Sequence, residues 1–570
     1  MNLSRDESIR REALRTEESF IVEAPAGSGK TALLTARYLA LLGKASHPGQ
    51  ILAVTFTRKA AAEMSTRITS VLSQASSGET SSLENQWESL LLSLGRKALE
   101  RHRSHPARLF NPESLQVGTF HGFCASLVRD WPLEAEIPPG LGLLDEMDQA
   151  DLLERAVTEY VEGLVSQKAA SAEVEAYRRC LASMNNDAEL LSRQLQELLA
   201  RRDRLKPFLE IFGRRDGKSL SKELEKRLEE YSSLYLSSLR HCFEKEVEKW
   251  KALKKALGRS KLGETFPEKV PGTGVTGITE WKEVANVFLT REGTPRKQLG
   301  PKNGFPEGFG KTPSGEWIKE LPKRVADQLH FVRGWPDARE DNIGLPELSD
   351  LLIVVGGILT KFQELLRTRG LDYLELEMAA LRALSKPEHP SEGLIFYHEH
   401  LKHILVDEAQ DLNDLQVEIL SKLTEGWEPG DGRTVFMVGD PKQSIYRFRR
   451  AEVSLFYELK ERGLRREGES PFPLKTLTLS ANFRSRPHLV RFANDLFEKV
   501  MADPQSIYDE VAFSPSLPSR EKSVAPIPVT VAVFHSEEGA ALETEALREQ
   551  EARWVSASVA KLRDDHPNDT

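Results

Sequence analysis

Hydrophobic positions along this chain follow two patterns. Short runs rich in β-branched and aromatic residues occur at Phe20–Val22, Ile51–Phe56, Leu115–Phe120, His403–Val406, Thr434–Val438 and Thr476–Leu479. Most are apolar at nearly every position instead of alternating, which is the pattern of parallel strands buried on both faces. Helix-periodic stretches separate the first of them, such as Lys30–Leu42, which Gly43 is placed to end. Strands alternating with helices predict a doubly wound α/β domain.

The second pattern fills residues 144–390, where long, charged, helix-periodic stretches take over; Ser219–Leu257 is the plainest. This region is expected to be a helical domain inserted into the α/β domain. Residues 259–345 within it are rich in Gly and Pro and are expected to be irregular. The predicted layout is therefore 1–143 as the first part of the α/β domain, 144–390 as the insertion and 391–486 as the second part. Residues 487–570 then begin a further α/β unit with one helical pattern at Glu545–Leu562.

Composition narrows the class without naming it. The chain is 39% hydrophobic and 29% charged over 570 residues, enough to build several cores without disulfides. Its three cysteines, Cys124, Cys180 and Cys242, form no CxxC pair, which argues against a zinc or iron–sulfur framework and fits a reducing cytoplasm. The N-terminal stretch is charged, and the longest apolar run, Leu351–Leu359, is too short to span a bilayer. A cytoplasmic protein with no membrane partner is expected. The net charge of −9 gives no global support for nucleic-acid binding, so any such argument must rest on particular residues.

The clearest chemistry lies at Ala24-Pro25-Ala26-Gly27-Ser28-Gly29-Lys30-Thr31, between an apolar strand and an apolar-periodic helix. Glycines 27 and 29 let backbone N–H groups approach phosphate oxygens, and the helix N-terminus adds its positive dipole end. Lys30 is suited to the β and γ phosphates of ATP and the Thr31 hydroxyl to Mg²⁺. The general pattern has Gly where Ala24 stands. A second GKT at Gly310–Thr312 lacks a preceding strand, carries Phe305 at the outer glycine position and is followed by Pro313, so it reads as a surface loop.

Two further clusters follow strands. His403–Val406 ends in Asp407-Glu408, carboxylates at the strand edge where open α/β sheets bind nucleotides. Coupled to the phosphate loop, Asp407 is expected to hold Mg²⁺ and Glu408 to orient and deprotonate the attacking water. Thr434–Val438 leads to Gly439-Asp440 and then Gln443, which can bond both water and γ-phosphate. Tyr446, Phe448 and Arg449 beyond it offer either a platform for unstacked bases or the core aromatics of an amphipathic helix.

Taken in order, GSGKT, TFTRKAAAEM, GTFHGFC, ILVDEAQD, VGDPKQSIYRFR and NFRS resemble motifs I, Ia, Ib, II, III and IV of UvrD/Rep-type superfamily 1 DNA helicases. The large insertion after Phe123 and the segment from Trp427 to Phe456 resemble the RecB/AddA branch. The resemblance implies a RecA-like P-loop NTPase domain with a mainly helical insertion and the start of a second RecA-like domain. It implies ATP and Mg²⁺ as ligands, with Lys30, Thr31, Asp407, Glu408, Gln443 and Arg484 in ATP chemistry. Arg484 would meet the γ-phosphate, and Phe483 would stack on adenine. Thr55, Phe56, Arg58, Thr119, Phe120 and His121 fall on segments that contact single-stranded DNA in the family. Tyr446, Phe448 and Arg449 match its base-stacking segment, with Phe448 where many relatives carry Trp.

Such motors move 3′→5′ along one strand, and the branch acts in double-strand-break repair beside an AddB- or RecC-like partner. The upstream positions around Asp6–Arg10 offer no Gln of the kind that reads adenine in relatives, and Arg450 stands where Gly is usual. Motifs V and VI are not found by Thr570, so the chain is expected to be the N-terminal portion of a longer protein. The alternative is an ATP- and DNA-binding module without autonomous helicase activity. A metabolic P-loop kinase has no support, since no lid or acceptor pattern appears.

Overall fold

A computed structural model of the chain describes residues 2–77, 86–166, 171–205, 217–258, 260–291, 293–335, 344–385, 390–444, 452–466, 468–500, 513–519 and 544–565. Six strands form one parallel sheet in the order β3-β2-β4-β5-β1-β6: β1 Phe20–Glu23, β2 Ile51–Thr55, β3 Val117–Thr119, β4 His403–Val406, β5 Thr434–Gly439 and β6 Lys475–Thr478. The central strands β2, β4 and β5 are buried at every position, which is why their sequences do not alternate. Leu115, expected to open β3, lies instead in a short 3₁₀ turn, Pro112–Leu115.

Each sheet face carries its own core. Phe20 and Val22 point to the face covered by α2 (Lys30–Leu42), α3 (Arg58–Ser76) and α4 (Gln86–Arg101), through Leu33, Tyr38, Met64 and Ile68. Ile21 points to the other face, covered by α5 (Phe120–Asp130) and the helices Tyr373–Leu384, Glu392–His400, Asp414–Leu423 and Val453–Arg462. The α/β domain is thus doubly wound, as predicted.

The insertion leaves and re-enters at one neck. Leu144 N donates to Leu371 O at 2.8 Å and Leu371 N to Gly142 O at 2.9 Å. From Leu371 onward, Leu376, Ala379 and Leu394 already belong to the sheet's core. The packing boundary is therefore near residue 371 and not at the expected 390, because Tyr373–Leu384 is a helix of the sheet layer although its periodicity matches the helices before it. Beside the neck, the buried Arg202 bonds Asp372 at 2.9 and 2.5 Å and lies over the Phe362 ring.

Among the described residues, the insertion holds two cores. One joins Glu146–Ser166, Ala172–Ser183, Ala188–Leu199 and Gly344–Arg369 around Leu152, Leu195 and Phe362. The other is aromatic, with Phe243 packed edge-on against Trp250 at 5.5 Å and against Phe288 at 5.6 Å, and with Trp281 fully buried. This second core corrects the expectation of irregular chain over 259–345. Helices Val275–Phe288, Pro313–Lys319 and Lys323–Arg333 lie there, and the Gly and Pro residues serve as caps and first-turn positions, such as Gly274 and Pro313. Thr312 of the second GKT is extended and caps Pro313–Lys319, accepting from Gly315 N at 3.1 Å.

A separate two-stranded sheet pairs β7 (Ala481–Asn482) with β8 (Leu517–Pro518). The departure from the main sheet thus begins at Ala481, six residues before the expected Pro487. Helices Pro487–Val500 and Thr544–Asp565 follow.

Candidate nucleotide site and nucleic-acid face

In the sheet, β4, β5 and β1 are neighbours and run parallel, so the loops at their C-terminal ends share one edge. Those loops are Asp407-Glu408, Gly439-Asp440 and Ala24–Gly29, and topology alone brings together residues some 400 positions apart. Ala24 continues the ladder, its N–H donating to Gly439 O at 2.9 Å, and it is fully buried. Its backbone has no positive φ to adopt, so Ala serves where the general pattern has Gly. Gly27 and Gly29 are the positions that need glycine, with φ of 76° and 79°. A Cβ on Gly27 would also lie 2.7 Å from Asn482 Oδ1 and 2.9 Å from Arg484 Cβ.

Lys30, the first residue of α2, reaches across the edge to Glu408 at 2.8 Å, a pair 378 residues apart. Gln410 donates to the same Glu408 oxygen at 3.0 Å. Glu408 itself is held in the left-handed region at φ 52°, a conformation that a non-glycine residue adopts only where its surroundings impose it. Asp407 is buried, and desolvation, reinforced by the neighbouring Glu408 charge, pushes its carboxyl up to about 6; Lys30 and the Glu408 N–H pull the other way. Ser28 Oγ is fully buried with no hydrogen-bond partner among the described residues. A buried hydroxyl of that kind within a phosphate loop is a group that a ligand or water satisfies.

Gln443, expected to meet the γ-phosphate, bonds Asp440 at 2.5 Å, and the same Asp440 oxygen accepts from Ala26 N at 3.1 Å. Arg484 is exposed beside Gly27. Phe483 is exposed too, and the Arg10 guanidinium covers its ring at 5.1 Å. Lys30, Glu408, Gln443, Phe483 and Arg484 therefore gather around Pro25–Thr31.

Residues that sequence reasoning passed over bind this site together. Asn482 donates to Ala26 O at 3.1 Å and accepts from Arg484 N and Ser485 N at 3.0 and 2.8 Å. Helix α1 (Asn2–Ala13) supplies Asp6, which accepts from Ser480 Oγ at 2.8 Å and from Ala481 N at 2.6 Å. It also supplies Arg10, sandwiched between Trp87 and Phe483 and bonded to Ser28 O. Burial pulls the Arg10 pKa down, partly offset by Asp6. The absence of an upstream Gln singles out these positions, but nothing in the local sequence tells of their partners.

The expected DNA segments sit at the ends of β2 and β3. Arg58 is exposed at the start of α3, whose cap is Thr57 accepting from Ala60 N at 3.1 Å. Phe56, Thr119 and His121 are partly exposed. Phe120 is a correction: it is 1% exposed within the sheet's core, so its ring is not available to a base. Thr55 is 2% exposed, and its Oγ1, like the Oγ of Ser28, is buried with no hydrogen-bond partner among the described residues. Tyr446, Phe448 and Arg449 lie outside the described residues. Among the described residues, no helix is long and apolar enough to cross a membrane.

The chain is 27% identical to an ATP-dependent helicase/nuclease of Lysinibacillus sphaericus (its A-type subunit), over 94% of this chain and 43% of that protein. It is also 27% identical to the proteins of the same name from Listeria welshimeri, over 87% and 39%, and Staphylococcus haemolyticus, over 85% and 38%. The chain thus spans about two fifths of the length of the curated relatives it matches. The family model of the UvrD/REP helicase N-terminal domain matches residues 6–463. With motif-bearing loops of one parallel sheet meeting at Lys30, and with most of its length matched, the chain belongs to the UvrD/REP helicase N-terminal domain family.

Proposed function

We propose that this chain is the ATP-hydrolysing N-terminal portion of an ATP-dependent DNA helicase of the RecB/AddA type, a cytoplasmic motor that moves 3′→5′ along single-stranded DNA in double-strand-break repair. The observation that carries the reading is the convergence of Lys30, Glu408, Gln443 and Arg484 around Pro25–Thr31 at one sheet edge. The domain division that goes with it is a RecA-like unit interrupted by a helical insertion and followed by the start of a second unit at Ala481.

The chemistry follows from what each side chain touches. Backbone N–H groups of Gly27, Gly29, Lys30 and Thr31 cradle phosphate oxygens, while those of Ala26 and Ser28 are bonded to Asp440 and Pro25 O. In this structure Lys30 is paired with Glu408. Phosphate oxygens compete for that ammonium, and their success leaves Glu408 as a carboxylate able to take a proton from water. Gln443 orients that water from its tether on Asp440, and Arg484 offers a cation where charge grows on the γ-phosphate. One buried carboxylate, Asp407, with the Thr31 hydroxyl and substrate phosphates, is a donor set that suits Mg²⁺, an ion that keeps few protein ligands. When bound there, Mg²⁺ supplies charge neutralisation for the phosphates. Phe483, with Arg10 on its ring, is the adenine end of the site. Phe56, Arg58, Thr119 and His121 are the DNA face, and the full-length protein works with an AddB- or RecC-like partner.

The test is ATP hydrolysis with and without single-stranded DNA, for this chain and the full-length protein. DNA-stimulated turnover is expected in the full-length protein. Lys30→Ala is expected to abolish turnover while leaving DNA binding within about two-fold. Absence of DNA-stimulated hydrolysis in the full-length protein overturns the motor reading, and stimulation there alone makes this chain a binding module that needs the rest.

A further inference from the structure

A buried carboxylate that the motifs do not contain connects the two faces just described. Glu377, on the helix Tyr373–Leu384, has a side chain only 3% exposed. It accepts from Asn413 Nδ2 at 3.2 and 3.1 Å and from Gln416 Nε2 at 2.6 Å. It also meets His121 Nε2 at 3.1 Å, and the His121 ring packs against Tyr373 with centroids 4.6 Å apart. These partners come from segments 256, 36 and 39 residues away.

The arrangement exceeds what a helix cap requires. Asn413 and Gln416 already form a complete capping box on Asp414–Leu423 through their side-chain oxygens. Their amide nitrogens are spare, and both are directed at Glu377. Apolar surroundings would have avoided the desolvation cost of a carboxylate there. His121 is the wetter end, with its side chain 25% exposed on the proposed DNA face.

The opposite end leads to the hydrolytic carboxylate. Asn413 follows Glu408 by five residues, through a 3₁₀ turn, Ala409–Asp411, in which Asp411 N donates to Glu408 O at 2.9 Å. Gln410 in that turn holds Glu408 Oε2 at 3.0 Å and accepts from Asp440 N at 2.9 Å. The cap and Glu408 are thus joined by a short, bonded turn.

We infer that Glu377 is a positioning residue that couples occupancy of the DNA face at His121 to Glu408, through the Asn413–Gln416 cap and the Ala409–Asp411 turn. This rests on the proposed function, because it needs DNA at one end and ATP at the other. Coupling between two ligands is reciprocal and is measured without turnover.

The experiment uses the 570-residue chain, a fluorescent non-hydrolysable ATP analogue with Mg²⁺, and an oligo(dT) strand. In the wild type, saturating oligo(dT) is expected to change analogue affinity by at least about five-fold. In Glu377→Gln each ligand alone binds within about two-fold of wild type, while the coupling falls to within about two-fold of none. Asn413→Ser keeps a good helix cap and deletes only the amide that reaches Glu377, so it is expected to lose coupling as well. Wild-type coupling in either folded variant overturns the inference. Wild-type chain that binds both ligands without coupling also overturns it, leaving the proposed function standing. Wild-type chain that binds no analogue instead sinks the proposed function and the inference with it.

Discussion

The sheet domain and the aromatic core of its helical insertion are built by opposite means. In the sheet domain, neighbours are remote in sequence: Phe20 pairs with Phe436 on one side and Lys475 on the other. Each strand is four to six residues long except β3, and none holds its place without its neighbours. In the insertion, helices of five to twenty-eight residues build the cores. The aromatic core joins segments between Leu236 and Trp335, while Gly344–Arg369 returns to pack on Glu146–Ser166 and Ala172–Ser183, with Arg179 bonding Asp350 across 171 residues. The site residues before Ala481 all come from the first kind of architecture. Remote pairing is slow to form, but it alone places Lys30 against a glutamate 378 residues on.

If the two regions fold as separate units, damage to one should spare the other. Trp250→Ala should cost about 3–5 kcal/mol within the aromatic core, as for other fully buried aromatics. Calorimetry should show the insertion melting earlier, with ATP-analogue affinity unchanged; a parallel loss of nucleotide binding would break the comparison.

The neck is where the regions are tied, and there the effect should be shared. Arg202→Met leaves Asp372 buried without its cation, while Glu375 keeps Arg382 at 2.7 Å, a cost of about 3–5 kcal/mol for stranding the Asp372 charge. One unfolding transition splitting into two would mark Arg202 as the link. A single transition, merely lowered, would mean that the regions are joined elsewhere.

A smaller effect should fall on the sheet alone. His403 opens β4, bonds Thr434 Oγ1 at 2.9 Å and is buried, which lowers its pKa to about 3, aided by Arg37 and Lys402. A histidine kept neutral in the fold binds a proton only when unfolded, so stability is lost as pH falls below the unfolded pKa and towards the folded one. Between pH 7 and pH 5 the loss from this group should be about 2 kcal/mol. Chemical denaturation at the two pH values should show it in wild type and not in His403→Gln.

Much of the sheet was legible because its strands are buried on both faces, so Ile51–Thr55 and Thr434–Gly439 carry their layer in their own sequence. The phosphate loop was legible because strand, glycines and helix are contiguous. Asp6, Arg10, Glu377 and Asn482 were not legible, since each acts through partners that only the fold brings near. Phe120 misled for the opposite reason: it stands between two partly exposed neighbours in a motif, yet the α5 helix turns its ring inward. The aromatic core was hidden by its glycines and prolines, which shape turns between short helices and share their composition with loops.

Asn482 holds the phosphate loop by Ala26 O and caps, through Arg484 and Ser485, the segment from which the helix Pro487–Val500 springs. That makes the loop the fulcrum of a lever. A helix of fourteen residues is about 21 Å long, so a tilt of about 10° at its root carries its tip roughly 4 Å.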